Sequence, residues 1–298
     1  MSTTSTEPIV SGPAEVVRRS VRPPWVRVRL PGGPVYTRVK ESLQRRGLHT
    51  VCEQALCPNL SECWGRGTAT FLILGEVCSR QCTFCAVAKG HPEPPDPGEP
   101  DRLAQAVADL QLKYAVITSV TRDDLPDGGS GQFAAVIESI RRRSKGCAVE
   151  VLIPDFQGSH ADWERVIHAA PDVLAHNVET VPRLYPRVRP QALYRRSLDL
   201  MEQVKCLRPS QITKSGLMVG LGETREEIRE AVEDLHRRKV DKLTIGQYLQ
   251  PSRAHLPVDR FYSPEEFEEL GRLAREIGFS HVESGPLVRS SYYADQPN

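Results

Sequence analysis

The chain has 298 residues, with 39 Lys and Arg against 38 Asp and Glu, a net charge of +1 at neutral pH. Charge this evenly balanced leaves no electrostatic footprint for nucleic acid or an anionic membrane, and no apolar run approaches the roughly 20 residues that span a bilayer. The first twenty residues lack the apolar core of a secretory signal, so the eight cysteines are expected to be reduced, in a cytoplasmic protein, and to serve as ligands rather than disulfides.

Residues 1–34 are rich in Pro, Gly and Arg, including Pro23-Pro24 and Pro31-Gly32-Gly33-Pro34, and read as an extended or disordered arm. From Val35 the spacing Val35, Val39, Leu43 predicts a helix that ends at Gly47. Cys52, Cys57 and Cys63 follow, in a stretch with Pro58, Asn59, Gly65 and Gly67 that is expected to be loop; residues 35–67 form an N-terminal extension. After Gly67 short apolar strands alternate with amphipathic helices. Six strands are predicted: Thr68–Leu74, Tyr114–Val120, Ala148–Ile153, Val173–Val178, Thr213–Val219 and Leu243–Leu249. The helical stripes include Phe133, Val136, Ile137, Ile140 and Tyr194, Leu198, Met201. Thr224 with Glu227, and Ser263 with Glu266, have capping-box spacing. The basic runs Arg141–Arg143 and Arg237–Lys239 suit helix C-termini. This alternation predicts an α/β fold with a parallel sheet, a partial (β/α)6 TIM-like barrel over residues 68–285, and a C-terminal tail over 286–298.

Such barrels carry chemistry at the C-terminal ends of their strands. Polar residues gather there: Thr118, Ser119 and Thr121 to Asp124, then Asp155, then His176, Asn177 and Glu179, then Gly220 to Glu223, then Gln247, Tyr248 and Gln250. An ordinary loop or capping role suits any one of them; their convergence on one rim marks a candidate site.

Cysteines carry the strongest chemical signal. Cys78, Cys82 and Cys85 lie just after the first strand, spaced C-x3-C-x2-C with Phe84 before the last. A structural zinc or fully ligated cluster uses four protein ligands, whereas three thiolates leave one metal corner open. The motif resembles that of radical S-adenosylmethionine (SAM) enzymes, in which three thiolates hold a 4Fe-4S cluster whose fourth iron is chelated by SAM. The alternative is part of a zinc site completed by a distant histidine. The first trio, C-x4-C-x5-C, admits zinc, a cluster or a structural loop when taken alone.

With both trios, the tail Arg289-Ser290-Ser291-Tyr292, and the segments 120–129, 176–180 and 213–223, the chain resembles the lipoyl synthase family from about residue 35 to 295. That resemblance implies a second, auxiliary 4Fe-4S cluster on Cys52, Cys57 and Cys63, with a tail serine, Ser291, as fourth ligand and Ser290 as its competitor. It implies insertion of two sulfur atoms, drawn from the auxiliary cluster, at C6 and C8 of an octanoyl group on a lysine of a lipoyl carrier protein, with two SAM consumed per product. It also implies carrier proteins such as the glycine cleavage H protein and the E2 lipoyl domains of 2-oxoacid dehydrogenases, a flavodoxin or ferredoxin type reductant, and an iron-sulfur carrier that restores the auxiliary cluster. Candidate SAM contacts are Thr118, Asn177, Glu179, Lys214, Gly220 and Gly222. A Gly-x-Gly turn before a capped helix is usually only a turn, and a buried Lys214 requires an anionic or carbonyl partner. Arg122 or Arg289 could meet a carboxylate or the carrier peptide, or form an exposed salt bridge. Cys147 and Cys206 are expected to have no role. Rival readings are another sulfur-inserting radical SAM enzyme, such as a biotin synthase or methylthiotransferase, or an iron-sulfur scaffold or electron carrier without turnover.

Overall fold

The computed structural model describes residues 22–26, 32–54, 57–65, 69–292 and 294. Most of the expected arm, Gly67 and Thr68 at the expected barrel boundary, and the end of the tail lie outside these residues. Within the arm, Trp25 Nε1 donates to the Tyr262 carbonyl at 3.2 Å.

The predicted first helix is α1, Pro34–Arg45, and it buries Val39 and Leu43. Gly47 follows with φ of +58°, the left-handed conformation that terminates helices. A short strand β1, His49–Thr50, leads into α2, Val51–Gln54, and then α3, Leu60–Gly65. The first cysteine trio therefore rides on two short helices and the turn between them, not on plain loop. Pro58 and Asn59 supply that turn; buried Cys52 holds α2 beside β1 and the first barrel strand, and buried Trp64 holds α3 against Tyr36 of α1, ring centroids 5.1 Å apart.

The barrel begins with β2, Thr70–Ile73. A small parallel pair follows, β3, Val77–Cys78, and β4, Ala88–Lys89. The remaining elements alternate: α4, Glu99–Asp109; β5, Tyr114–Ser119; α5, Ser130–Arg143; β6, Ala148–Leu152; α6, His160–His168; and β7, Val173–Ala175. Then come α7, Tyr185–Val188; α8, Tyr194–Leu207; β8, Ile212–Val219; α9, Arg225–Arg237; β9, Lys242–Gln247; α10, Pro264–Ile277; and β10, His281–Gly285. The main sheet runs β1-β2-β5-β6-β7-β8-β9-β10, with β1 antiparallel and every later neighbour parallel.

All six predicted strands are present. The seventh parallel strand, β10, was not predicted, because His281-Val282-Glu283-Ser284-Gly285 buries only Val282 and lacks an apolar run. Strand register explains its polarity. One face of each strand packs on the helices: Ala115, Ile117, Val149, Val151, Leu243, Ile245 and Val282. The other lines the barrel interior, and its N-terminal tier is polar, with Tyr114, Glu150, Lys214, Lys242 and His281.

The helices meet the sheet through the predicted stripes. Phe133, Val136, Ile137 and Ile140 of α5 are fully buried, each contributing about 1.5–3 kcal/mol by its removal from water. Both capping boxes form, Thr224 with Glu227 at α9 and Ser263 with Glu266 at α10. Among the described residues no helix is long and apolar enough to cross a membrane.

Candidate active site

Cys78 ends β3, and the loop to Cys85 is pinned from two sides. On one side lies the segment after β5. Ser79 N and Oγ both donate to the Thr121 carbonyl, at 3.0 and 2.9 Å, and Asp123 N donates back to Ser79 Oγ at 3.0 Å. Cys78 Sγ accepts from Thr121 N at 3.3 Å and Arg80 N at 3.5 Å. Arg80, only 3% exposed inside the cysteine motif, donates to Asp123 at 2.7 and 3.0 Å and also to Asp155. Burial pushes the Asp155 carboxyl up, but Arg80, with His176 and Arg196, outweighs this and holds it at about 2. The segment 120–124 is thus the seat of the cysteine loop.

The opposite side is held by the segments after β7 and β9. Thr83 N donates to the Val188 carbonyl at 3.0 Å and Thr83 Oγ1 to the Arg187 carbonyl at 2.8 Å. Gln81 N donates to Gln191 Oε1. Leu256 N donates to the Thr83 carbonyl at 3.2 Å, and His255 Nε2 lies 3.0 Å from the Cys85 carbonyl. Burial pushes the Cys82 and Cys85 thiols up, Cys85 to about 11, and the neighbouring thiols and Glu179 add to it, while Arg189 draws Cys82 down. A group that takes these sulfurs as thiolates must bring positive charge, which iron does.

The wall facing this loop is built from the residues after β7. Glu179 holds a left-handed backbone, φ +66°, costly for a residue with a side chain and fixed by Glu179 N to the Gly216 carbonyl at 2.9 Å and Met218 N to the Glu179 carbonyl at 2.8 Å. Burial pushes its carboxyl up, opposed by Arg189, Asn177 and Arg289. Asn177 Nδ2 donates to Glu179 Oε1 at 3.0 Å and to Ser290 Oγ at 2.6 Å. The buried Arg189 guanidinium donates through Nη1 to the carbonyls of Asn177 and Val178, at 2.9 and 3.2 Å. Asn177 Oδ1 and Arg189 Nε are buried without a hydrogen-bond partner among the described residues. Buried polar atoms left this way call for a polar ligand, so the wall fits a zwitterionic, ribose-bearing group such as SAM. Thr118, at the end of β5, is also buried, its hydroxyl donating to the Leu152 carbonyl at 2.9 Å.

Three SAM-contact candidates fall elsewhere. Lys214 is the third residue of β8, roughly 17 Å of extended strand short of its rim end at Val219, and its Nζ meets Glu150 Oε1 at 2.9 Å. It belongs to the barrel floor, and its anionic partner is Glu150. At Gly220, φ is +97° and a Cβ would lie 2.2 Å from Gln247 Nε2 and 2.6 Å from the Arg260 carbonyl. Protein fills that space, and Glu223 closes the turn by accepting from Gly220 N and Leu221 N at 2.6 and 2.9 Å. Gly222 continues the same turn, φ +103°, so the Gly-x-Gly segment is a structural turn. His176 is likewise a packing residue, bridging the Ile153 carbonyl and Ser197 Oγ at 2.8 and 2.9 Å. Arg122 forms a salt bridge to Asp124 at 2.8 Å, but a buried rather than an exposed one, since the arginine is 1% exposed and also donates to the Leu74 carbonyl at 3.2 Å.

The first trio lies beside the C-terminal tail. Cys57 N donates to the Cys52 carbonyl at 3.1 Å and Cys63 N to the Asn59 carbonyl at 2.9 Å. Burial, with Cys57 adding, pushes the Cys52 thiol up to about 11. The Cys57 thiol is also raised by burial, with Arg289 drawing it down. Asn59 Nδ2 donates to the Leu287 carbonyl at 2.6 Å, and Tyr292 OH to the Glu62 carboxylate at 3.2 Å. The tail crosses β9 so closely that a Cβ on Gly246 would sit 2.2 Å from the Val288 carbonyl oxygen. Arg289 thus neighbours both Cys57 and Glu179, and Ser290 is bound to Asn177, so the tail joins the two cysteine sites at one mouth. The Ser291 hydroxyl, half-buried beside Ser290, makes no hydrogen bond among the described residues. Among those residues no three His, Cys, Asp or Glu side chains are grouped to hold a single ion, a grouping that a cluster with one thiolate per iron does not need. The sequence did not single out Arg80, Arg189 or His255. A charged residue within a cysteine motif and an arginine framed by Pro186 and Pro190 were the available signals. Cys147 is buried and Cys206 exposed, both apart from these sites.

Comparison with known proteins places the chain. The model of the radical SAM superfamily matches residues 72–235, and that of the N-terminal domain of lipoyl synthase matches residues 12–57. The chain is 57% identical to the lipoyl synthase of Rubrobacter xylanophilus over 278 residues, covering 93% of this chain and 87% of that protein. It is 57% identical to the lipoyl synthase of Methylococcus capsulatus over 276 residues, covering 92% and 86%. Among solved structures, Streptococcus suis SuiB bound to precursor peptide SuiA aligns with a TM-score of 0.57 at 13% identity, over 84% of this chain and 52% of SuiB. The chain thus spans about half of SuiB. Methylornithine synthase (PylB) aligns with a TM-score of 0.52 at 12% identity, over 84% of this chain and 77% of PylB. At such identity the structures share the fold alone. The sequence relatives carry more: the chain belongs to the lipoyl synthase family of radical SAM enzymes, which use SAM and two 4Fe-4S clusters.

Proposed function

We propose that Cys78, Cys82 and Cys85 hold the SAM-binding cluster, and that Cys52, Cys57 and Cys63 with Ser291 hold the auxiliary cluster. When bound, these groups supply a 5′-deoxyadenosyl radical from SAM and two sulfur atoms for C6 and C8 of an octanoyl chain. Arg189 Nε and Asn177 Oδ1 are the free polar atoms for SAM, and the Glu179 carboxylate accepts from its ribose or amino group, with Thr118 at the edge of the pocket. Arg80 locks the cysteine loop to Asp123 and Asp155, which fixes where the thiols point. The tail caps the mouth and keeps water from it.

The observation that carries this arrangement is the double contact of Asn177 Nδ2, to Glu179 on the SAM side and Ser290 on the tail side. It favours Ser291 over Ser290 as the fourth ligand, because Ser290 is engaged as an acceptor. An alkoxide or hydroxyl oxygen is a hard ligand among thiolates, and a weak bond there suits a cluster that gives up its sulfur. The division is residues 35–67 for the auxiliary site, 68–285 for the barrel and 286–298 for the closing tail. The carriers are octanoylated H protein and E2 lipoyl domains. A flavodoxin or ferredoxin type protein supplies electrons, and an iron-sulfur carrier restores the auxiliary cluster.

Two variants test the assignment in anaerobically reconstituted protein. Cys82→Ala is expected to abolish 5′-deoxyadenosine formation, and Ser291→Ala to retain it while lowering dithiolane formation. Persistent deoxyadenosine from Cys82→Ala, or an unchanged lipoyl yield from Ser291→Ala, would overturn the corresponding assignment.

A further inference from the structure

The chain has three tryptophans, and two of them spend the indole N–H on a backbone carbonyl: Trp25 on Tyr262 at 3.2 Å and Trp163 on Asp155 at 3.0 Å. Trp64 does not. Its side chain is fully buried, and its Nε1 has no hydrogen-bond partner among the described residues. An indole can only donate, so a buried N–H of this kind calls for an acceptor. Trp64 directly follows Cys63 in α3, and its ring is held against Tyr36 at a tilt of 34°, so the nitrogen is not free to turn elsewhere. Cys52 belongs to the same buried core. Burial, with Cys57 adding, raises the Cys52 thiol, and three donors oppose that rise: the Thr70 N–H, the Trp64 indole and the Thr70 hydroxyl. A thiol sulfur is a weak acceptor, which is why the indole acts on Cys52 without completing a hydrogen bond to it. Burial raises the Cys57 thiol too, but there the opposition comes from the Asn59 N–H and Arg289.

We propose that the Trp64 indole N–H donates to the Cys52 sulfur once that sulfur is an iron-bound thiolate, and that it thereby tunes the auxiliary cluster; the inference rests on the proposed role of the first trio. Ligation turns the Cys52 sulfur from a weak acceptor into a charged one, and hydrogen bonds to a charged acceptor are roughly twice as strong as neutral ones. Such a bond draws negative charge off the sulfur. It favours the more negative, reduced state and so raises the reduction potential, hydrogen bonds to the sulfurs being among the controls a protein has over a cluster. Cys52 is also the buried member of its trio, with Cys57 and Cys63 half-buried. A cluster that gives up sulfur and keeps its place needs a corner that stays bound, and the buried corner with three donors around it is Cys52. Trp64 acts through Cys52, which makes it a positioning residue and not a catalytic one.

The test uses reconstituted holoprotein reduced with dithionite and read by electron paramagnetic resonance, the auxiliary signal being the one that added SAM leaves unchanged. In parent protein isotope-labelled at the tryptophan indole nitrogens, pulsed measurements are expected to show an indole nitrogen coupled to that signal; no such coupling overturns the proposal. This measurement needs no variant, so it decides the matter even where a substitution of Trp64 prevents loading. Redox titrations then compare the parent, Trp64→Phe and Tyr36→Leu. Trp64→Phe keeps a ring in the core and removes the N–H, and its one-electron equilibrium is expected to move roughly tenfold toward the oxidised form, about 59 mV lower in potential. Tyr36→Leu loosens the packing and keeps the N–H, so it is expected to lower Tm with the potential unchanged. An unchanged potential in Trp64→Phe, or an equal shift in Tyr36→Leu, overturns the proposal. A parent that carries only the SAM-sensitive cluster would instead overturn the reading of the first trio on which the proposal rests.

Discussion

Replacing Lys214 with Met separates a structural lysine from a SAM contact. Lys214 and Glu150 have side chains 5% and 2% exposed, and their heads lie 2.9 Å apart. Tyr114 OH donates to the other oxygen of Glu150 at 2.5 Å. Removing one member of a buried pair costs about 3–5 kcal/mol, because the remaining charge is stranded. Lys242 lies near both partners: burial and Lys214 lower the pKa of its ammonium while Glu150 raises it, so it can partly replace Lys214. The expected cost of Lys214→Met is therefore at the low end, about 3 kcal/mol, or about 5 °C in Tm for a chain of this length. Paired with Glu150→Leu, the loss should shrink to under about 1 kcal/mol, since replacing both charges by apolar groups removes the stranded carboxylate. The assay is thermal and urea unfolding of the four proteins of the double-mutant cycle at pH 7, with 5′-deoxyadenosine formation measured alongside. SAM cleavage should recover in the double variant. A single variant costing less than about 1 kcal/mol, or a double variant that is stable but cannot cleave SAM, would refute the placement of Lys214 in the barrel floor.

Asp155→Asn should cost about 2.5 kcal/mol at pH 7, the equivalent of holding the carboxyl near 2 instead of 3.8. Because that pKa is depressed, the stabilisation is complete above about pH 4 and is lost as pH falls toward 2, so the unfolding free energies of variant and parent should converge in acid. His176, lowered to about 4 by burial first and Arg189 second, works in the other direction. The unfolded chain takes up its proton below about pH 6.5 and the native chain does not, so stability should fall by about 2 kcal/mol between pH 7.5 and pH 5, and His176→Gln should flatten that slope in urea titrations. Thr224→Ala, which removes one capping box, should cost about 1 kcal/mol without altering SAM cleavage; a loss above about 3 kcal/mol would mean the cap is tied to the site.

The barrel was legible because its helix-facing residues keep their periods. Ala115 and Ile117, Val149 and Val151, and the α5 stripe all read correctly, and the six strands and two capping boxes followed. β10 escaped because its interior face looks onto the polar floor, and nothing local distinguishes such a strand from a tail. The cysteine spacing drew attention to both trios, but it could not tell two short helices from loop, since four to six residues carry too little period. Lys214 was misplaced for a related reason. Strand phase correctly turns it inward, yet phase says nothing of which end of the barrel it occupies. The union of the two trios at one mouth was not legible at all. It depends on Gly246 letting the tail cross β9 and on Asn177 reaching Ser290, contacts between residues far apart in the chain.

The central claim is that two cysteine sites on one barrel mouth cooperate in sulfur insertion. Mass spectrometry of an octanoyl-lysine peptide, incubated anaerobically with reconstituted protein, SAM and dithionite, tests it most directly. Two sulfur atoms gained per product with two molecules of 5′-deoxyadenosine are expected; protein that holds both clusters and yields deoxyadenosine without adding sulfur would contradict it.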